Sequence, residues 1–158
     1  MTTPDARPIR ILGPSAWNSM IHLDHLPEPR TQMIVAQQAW DALGGTSAGK
    51  AVHLHDLGLP VQLVTTLGDD DHARLIRQAL PGFDLRVLSA DATEHHVNLM
   101  TPRGERVSIY TTPPATPTTP PTLDGLRDSR VLVLDLADWT RVPRQVVGTF
   151  SVVGKVGV

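Results

Sequence analysis

The chain has 158 residues, of which 41% are hydrophobic and 19% are charged, a size and composition that favour one globular domain. A net charge of −2 gives no basic surface for nucleic acid, and zero cysteines exclude a disulfide framework and a thiolate metal site. No apolar run is long enough for a signal peptide or a membrane span. We therefore expect a cytoplasmic protein whose partners include neither nucleic acid nor a membrane.

The first predicted element is a strand at Ile9–Leu12, a β-favouring run that a Gly-Pro pair ends. Asn18 follows just beyond the carboxyl end of this strand, in a segment, residues 15–24, that we expect to be a loop. Ligand-contacting side chains in α/β sheets lie at that end of the strands. Asn18 is therefore a candidate binding residue, and a turn-capping role is its alternative.

A pair of glycines, Gly44-Gly45, precedes a predicted helix in which small and apolar residues recur at helical spacing. Thr46 or Ser47 is expected to cap the N-terminus of this helix with its hydroxyl group. Gly58 is expected to end the helix in the left-handed conformation that glycine adopts at low cost.

A strand and a second helix are predicted next. Val61–Leu67 carries no charge, so this strand should be buried on both faces. Asp69, Asp70 and Asp71 precede the second helix, where their charges suit the positive end of the helix dipole. Magnesium binding or general-base action are the alternatives for these carboxylates. Asp70 and Arg74 should pair across one helical turn.

The regions outside this unit are mostly extended. Residues 32–37 favour a strand over a helix. Residues 83–112 are predicted to form β-hairpin structure, with alternating strands at 96–100 and 106–110. The stretch at 112–122, rich in proline and threonine, excludes a helix or a central strand.

A last strand is predicted at residues 131–136, with Asp135 inside it or at its end, after a short helical turn near residues 123–127. Beyond this strand the pattern decays, since residues 143–158 have neither a polar counter-face nor a cap. We expect this off-pattern tail to result from a frameshift or an incomplete gene.

One segment partly matches a phosphate-binding motif. Gly44 to Lys50 fits the G-x-x-x-x-G-K core of a P-loop, but Ala51 stands where a serine or threonine should hold Mg²⁺. The residues before Gly44 also lack the character of a buried strand. The alternative is therefore a P-loop nucleotide-binding protein in which the side chain that should hold Mg²⁺ is absent.

The histidines give no complete metal site. His22, Asp24 and His25 are close in sequence, but no residue supplies a good fourth ligand. His95 and His96 are adjacent on a predicted strand, so their side chains should point to opposite faces. We expect solvated or packed histidines and no metal site.

In order and spacing, these features resemble the N-terminal half of the ribokinase-like (PfkB) carbohydrate kinase family. The resemblance covers residues 9–138. The first matching feature is the strand that ends in Gly13, with Asn18 after it, and the second is Gly44-Gly45 at the start of a helix that ends in Leu57-Gly58. The strand before Gly68-Asp69-Asp70 and the turn Gly104-Glu105-Arg106 are the other two.

The resemblance implies a three-layer α/β/α sandwich with a small β lid. It places the N-terminal part of the kinase domain at residues 1–142, with lid strands near 31–43 and 94–112. It also implies substrate-binding roles for the residues that match the family's sugar site, namely Asn18, Gly44, Gly45 and Gly49. Two of them depart from the family pattern, because Gly49 stands where an asparagine is usual and Asn18 stands where many relatives have aspartate.

The activity that the resemblance implies is ATP- and Mg²⁺-dependent transfer of a phosphoryl group to a hydroxyl of a sugar or nucleoside. The family's catalytic base and most of its ATP site lie in a C-terminal half that this sequence does not contain, so no catalytic residue is assigned. We therefore expect a truncated, inactive chain. A non-catalytic module for small-ligand binding or dimerisation is the alternative. A homodimer through the lid is a partner that either interpretation allows.

Overall fold

The computed structural model describes residues 6–118 and 126–135, and these contain eight strands and two α-helices. A 3₁₀ turn at Leu126–Asp128 precedes the last strand. In chain order the elements are β1 Ile9–Leu12, β2 Ala16–His22, β3 Gln38–Gly44, α1 Thr46–Asp56, β4 Val61–Leu67, α2 Asp71–Ala79, β5 Asp84–Ser89, β6 His95–Met100, β7 Arg106–Thr112 and β8 Val131–Leu134.

Four parallel strands form one sheet, which we call the body sheet, in the order β5-β4-β1-β8. Its two central strands, β4 and β1, are largely buried on both faces, as parallel strands usually are. Ile11 and Leu63 face α1 and α2, where Ala51 and Ile76 complete the same hydrophobic core. The opposite face carries a second cluster, formed by Leu12, Val64, Leu126, Leu132 and Leu134.

The other four strands form a second sheet, which we call the lid sheet, in the order β3-β2-β6-β7. Strand β2 is parallel to β6, and the other two pairs are antiparallel. Because side chains alternate across a sheet, the register divides them into two faces. One face carries Asn18, Met20, Trp40, His96, Asn98, Ser108 and Tyr110, and we call it the polar lid face. The other carries Ile21, Val97, Leu99, Val107 and Ile109 together with the polar residues Ser19, Asp41 and His95, and we call it the apolar lid face after the cluster on β6 and β7.

The predicted α/β class with a β lid is confirmed, but the prediction of a strand at residues 32–37 is wrong. The strand begins at Gln38, where the chain pairs with β2. Met33 and Val35 are 99% and 90% exposed, so the apolar residues that suggested a strand have no sheet to enter. Backbone pairing with β2, rather than β-propensity, places β3.

Two other segments form strands in sheets where the sequence did not predict them. Residues 16–22 form a lid strand, not the expected loop, because they pair on both sides, with β3 and with β6. Asp84–Ser89 was expected within the hairpin region but is a parallel edge strand of the body sheet beside β4. The hairpin itself, β6 and β7, is confirmed.

The helix ends are partly as predicted. Gly58 has a φ of 75° just after α1, as expected. The N-cap of α1 is Gly45, with a φ of 90°, and no side chain caps this end, so the expected capping by Thr46 or Ser47 is wrong. The geometry of Gly45 suits glycine because a left-handed φ costs other residues strain.

Helix α2 begins as predicted at the acidic run. Asp70 is its N-cap and accepts a hydrogen bond from the Ala73 amide. The expected pair of Asp70 and Arg74 does not form, since Arg74 contacts Asp71 instead. The Asp70 carboxylate is already occupied by backbone amides, so Arg74 pairs with the exposed neighbour.

Among residues 6–118 and 126–135, neither helix is long and apolar enough to cross a bilayer. The predicted tail at 143–158 and the domain boundary at residue 142 lie outside the described residues.

Candidate functional site

The two sheets meet where the body strands end at their carboxyl edge. Strand β1 leads through a short turn into lid strand β2, and lid strand β3 leads through Gly45 into α1. A Cβ atom on Gly13 would lie 2.2 Å from the Ser47 hydroxyl and 2.4 Å from the Asp135 carbonyl oxygen. Glycine at position 13 therefore lets the start of α1 and the end of β8 approach each other closely.

Asp135 lies directly after β8 and collects hydrogen bonds from α1. Its Oδ2 atom accepts from Thr46 Oγ1 at 2.5 Å and from Ser47 Oγ at 3.2 Å, and it also forms an ion pair with Lys50. Burial alone would raise the pKa of Asp135, but the hydrogen bonds from Lys50 and Thr46 outweigh it, so this pKa is lowered. Asp135 is thus held ionised and joins the body sheet to α1.

Asn18 occupies the corner between the lid and the body. It lies opposite Ala42 on β3 and beside His96 on β6. A Cβ atom on Gly44 would lie 2.1 Å from Asn18 Nδ2, so the Asn18 amide fits only because residue 44 is glycine. Within the described part of the chain, Asn18 Oδ1 is buried and has no hydrogen-bond partner. An unpaired buried acceptor is costly, and such atoms often mark functional sites.

The structure therefore places three of the four predicted binding residues together. Gly44 contacts Asn18, and a Cβ atom on Gly45 would lie 2.4 Å from the Pro14 carbonyl oxygen. Gly49 lies one turn further along, where its amide donates to the Gly45 carbonyl at 3.1 Å. A Cβ atom on Gly49 would meet no atom within 4 Å, so residue 49 borders open space.

Sequence reasoning missed a second set of polar residues on the lid. Glu94 and His96 are buried, with Glu94 Oε1 2.5 Å from His96 Nε2. Burial raises the pKa of Glu94, and the hydrogen bond to His96 opposes this change. Asn98 is buried and accepts a hydrogen bond from Ser108 at 2.7 Å. The polar residues at every second position of β6 were the signal that could have identified this face.

The acidic run before α2 has a structural role. Asp70 accepts hydrogen bonds from the amides of Ala73 and Thr93, at 2.9 and 2.8 Å. Although burial acts to raise the pKa of Asp70, these amide hydrogen bonds lower it. Asp70 therefore joins the start of α2 to the segment that enters the lid, as the helix-starting interpretation of the run requires.

The histidines lie apart from one another except at one contact. His95 and His96 point to opposite faces of the lid, and the His95 ring stacks on His72 of α2 with 4.3 Å between centroids. In residues 6–118 and 126–135, no group of three or more histidine and acidic side chains is arranged to hold a metal ion.

The segment with the P-loop-like sequence does not form a phosphate loop. Its preceding strand, β3, is antiparallel and at the edge of the lid sheet, whereas a P-loop follows a strand and cradles phosphate before its helix. Helix α1 already begins at Thr46, and Lys50 pairs with Asp135. This geometry does not support the P-loop alternative.

No model of a protein family matches the sequence. A curated relative, an acarbose 7(IV)-phosphotransferase of Actinoplanes sp., is 30% identical over 105 residues, which are 65% of this chain and 35% of the relative.

Solved structures resemble the chain along nearly its whole length. A microbiome-derived acarbose kinase has a TM-score of 0.76 at 23% identity, covering 95% of this chain and 53% of its own. A ribokinase of Arabidopsis thaliana, complexed with ribose and ATP, has a TM-score of 0.75 at 22% identity. This match covers 96% of this chain and 54% of the ribokinase. A ribokinase of Thermotoga maritima has a TM-score of 0.75 at 19% identity, covering 94% and 51%.

These comparisons confirm the resemblance found in the sequence, and they confirm the ribokinase-like fold. The chain spans about half the length of the structures that it matches, and 35% of the curated relative.

Proposed function

We propose that this chain, a relative of the ribokinase-like sugar kinases over about half of their length, forms the sugar-binding side of a carbohydrate-kinase cleft. One observation carries the proposal: Asn18 Oδ1 is a buried acceptor without a partner among the described residues, at the corner where the lid meets the body. A sugar hydroxyl that donates to Oδ1 would satisfy this atom. A site built to bind a hydroxyl group discriminates strongly against ligands that lack it.

The glycines complete the proposed site. Gly44 leaves room for the Asn18 amide, and Gly45 turns the chain so that α1 begins beside it. Gly49 borders open space on the first turn of α1, where the resemblance implies that the family usually has an asparagine. We therefore propose that the substrate approaches the backbone of α1 at Gly49, and that Asn18 supplies the side-chain contact.

The resemblance implies that ATP, with Mg²⁺, supplies the phosphoryl group in full-length members of the family. Phosphoryl transfer depends on groups that position the phosphates and stabilise their charge. Lys50, the cation nearest the glycines in sequence, is paired with Asp135, so we assign no described residue to ATP. Our proposal is that this chain by itself binds sugar and has negligible transfer activity. A cytoplasmic location, where ATP is available, is part of the proposal.

Binding measurements test the proposed sugar site. Isothermal titration calorimetry with ribose, glucose, adenosine and acarbose should give saturable binding of at least one compound to the purified chain. Asn18→Ala should weaken this binding by about ten-fold or more, as expected for the loss of a buried hydrogen bond. Gly44→Ala should do the same by displacing the Asn18 amide.

Ser19→Ala is the matched control. Ser19 follows Asn18 on β2 but faces the other side of the lid, where it donates to Asp41 at 2.8 Å. The variant should bind sugar as the wild type does. Equal affinities for the wild type and Asn18→Ala, or no binding of any of the four compounds, would refute the proposal.

We further propose that the apolar lid face pairs with a second copy of this chain. Val107 and Ile109 are 41% and 47% exposed on neighbouring positions of this face, and Val97 and Leu99 lie beside them on β6. Apolar residues clustered on one face of a small sheet are typical of a contact surface. The partner proposed for this face is the identical face of another copy, as in an isologous dimer.

Sedimentation equilibrium tests the dimer. The wild type should sediment as a dimer, and Ile109→Lys should give a monomer because it places a charge in the contact. Leu57→Lys makes the same kind of change at an exposed leucine on the body and should leave the dimer intact. A monomeric wild type at high protein concentration would disprove this part of the proposal.

A further inference from the structure

The lid contains a buried pair of ionisable side chains next to the proposed sugar site. The side chains of Glu94 and His96 are each 10% exposed, and the Oε1 and Nε2 atoms lie 2.5 Å apart. Taking such groups out of water is costly, and an apolar pair of similar volume usually gives a fold of equal or greater stability. The pair is therefore poorly explained as a stabilising contact alone.

The second ring nitrogen of His96 is the available one. Glu94 occupies Nε2, and no residue in the described part of the chain forms a hydrogen bond with Nδ1. Tyr110 packs its ring against His96 with 4.0 Å between centroids, which restricts the orientation of the imidazole. A carboxylate that binds one ring nitrogen fixes the protonation and direction of the other.

His96 and Asn18 are direct neighbours on the polar lid face. They are register partners in the parallel pair of β2 and β6, and neighbouring strands lie about 4.8 Å apart. This spacing is short enough for one sugar ring to span both positions. Tyr110, more than half exposed at the same register position on β7, offers an aromatic surface to the apolar side of such a ring.

We propose that His96, oriented by Glu94, is a specificity-determining residue that binds a second hydroxyl of the substrate beside the one bound by Asn18. The proposal rests on the proposed sugar-binding function and narrows the substrate class to ring sugars with neighbouring free hydroxyls. A hydroxyl group both donates and accepts, so it can pair with Nδ1 whether or not that atom carries a proton. Glu94 acts through His96 and is a positioning residue.

Two substitutions at residue 96 separate the ring nitrogens. His96→Gln keeps a polar group near the position of Nε2, so Glu94 stays paired, but removes the group at Nδ1. His96→Asn does the reverse, because its short amide reaches the position of Nδ1. Calorimetry with ribose, glucose and their monodeoxy analogues should show about a ten-fold affinity loss for the full sugars in His96→Gln, with substantial recovery in His96→Asn.

The deoxy analogues give the decisive comparison. The wild type should bind one monodeoxy sugar about ten-fold more weakly than the parent sugar. His96→Gln should bind this monodeoxy sugar and the parent sugar with equal affinity, because the hydrogen bond that the deoxy sugar cannot form is already absent from the variant. If His96→Gln lowers the affinity of every sugar equally, or of none, His96 does not bind a specific hydroxyl and the inference is overturned.

Glu94 needs a measurement that a purely structural role would not change. In ¹⁵N–¹H spectra of the histidine rings, wild-type His96 should carry its proton on Nε2, and Glu94→Gln should shift this tautomer and weaken sugar binding. An unchanged tautomer with unchanged affinity would contradict the positioning role. In the double variant Glu94→Leu/His96→Phe, which replaces the pair with apolar groups, the fold should persist while the hydroxyl preference is lost.

The two proposals can fail separately. If Asn18→Ala loses sugar binding and His96→Gln binds all sugars like the wild type, the sugar site stands and the role of His96 is refuted. If the wild type binds no sugar, both are refuted.

Discussion

The body sheet and the lid sheet of this chain have four strands each but are built on different principles. The body strands are parallel, and both of their faces carry buried apolar clusters. The lid strands have one face with buried polar groups and another on which the apolar residues of β6 and β7 cluster, and Val107, Ile109 and Tyr110 on β7 are exposed. The contrast indicates that the body supplies most of the buried apolar core, and in our proposal the lid supplies the contacts to the sugar.

The reason is the number of layers on each sheet. A strand covered on both sides gains apolar burial from every side chain, whereas a strand of a thin lid gains it from half of them or fewer. The lid therefore tolerates buried polar groups such as Asn98 and the pair of Glu94 and His96. At such positions in a central strand of the body sheet we would expect apolar residues.

Core truncations should give the largest difference between the two sheets. Leu63 is fully buried at the centre of β4, and Leu63→Ala should lower the free energy of unfolding by about 2–5 kcal/mol through lost burial and a cavity. At protein concentrations low enough to keep the chain monomeric, Val107→Ala, on the partly exposed apolar lid face, should cost less than about 1 kcal/mol because part of its surface then meets water. Urea denaturation measures both.

The comparison would fail if the two variants were equally destabilised, since the lid would then contribute as much core as the body. Ile109→Ala, a second truncation on the same lid face, shows whether Val107 is representative.

The junction between body and lid should give a smaller effect. Asp70→Ala removes the N-cap of α2 and the acceptor for the Thr93 amide, and should cost about 1–2 kcal/mol in the free energy of unfolding. Asp71→Ala changes an exposed neighbour and should cost a few tenths of a kcal/mol. Thermal denaturation of the two variants at neutral pH measures the difference. Equal melting temperatures would show that Asp70 does not join the lid to α2.

The smallest expected effect is a pH dependence from Asp135. Its pKa is lowered in the folded protein, so its ionised form contributes stability above the pKa of the unfolded chain. That contribution is lost as the pH falls through the lower, folded-state pKa. Unfolding free energies measured across the acidic range should therefore fall less steeply in Asp135→Asn than in the wild type. Parallel curves would show that the hydrogen bonds from α1 do not favour the ionised carboxylate.

Some parts of the fold could be predicted from local pattern alone. Strand β4 and helix α2 were predicted because their apolar spacing and the acidic N-cap are local features. The strand at residues 16–22 was missed because its alternation of polar and apolar residues becomes clear only when β3 and β6 pair with it on either side. Propensity misplaced β3 for the same reason, since strand position depends on a distant partner.

The candidate site, like the fold, was predicted only in part. Asn18 and the glycine pair were predicted from their positions relative to the strands and by resemblance, and the structure places them in one corner. The pair of Glu94 and His96 was not predicted as part of the site. Residues 94, 96 and 98 alternate in the sequence, but their burial, and the contact of His96 with Tyr110, depend on the neighbouring strands.

The sequence by itself determined the α/β class, the two helices, the hairpin and the resemblance to sugar kinases, because these depend on periodicity, caps and motif order along the chain. The tertiary structure alone decided which polar atoms lie together. Lys50 ends as the ion-pair partner of Asp135, which follows it by 85 positions, and Asn18 keeps one buried acceptor unpaired. Such pairings depend on how two sheets meet, since side chains distant in sequence become neighbours only when the chain has folded.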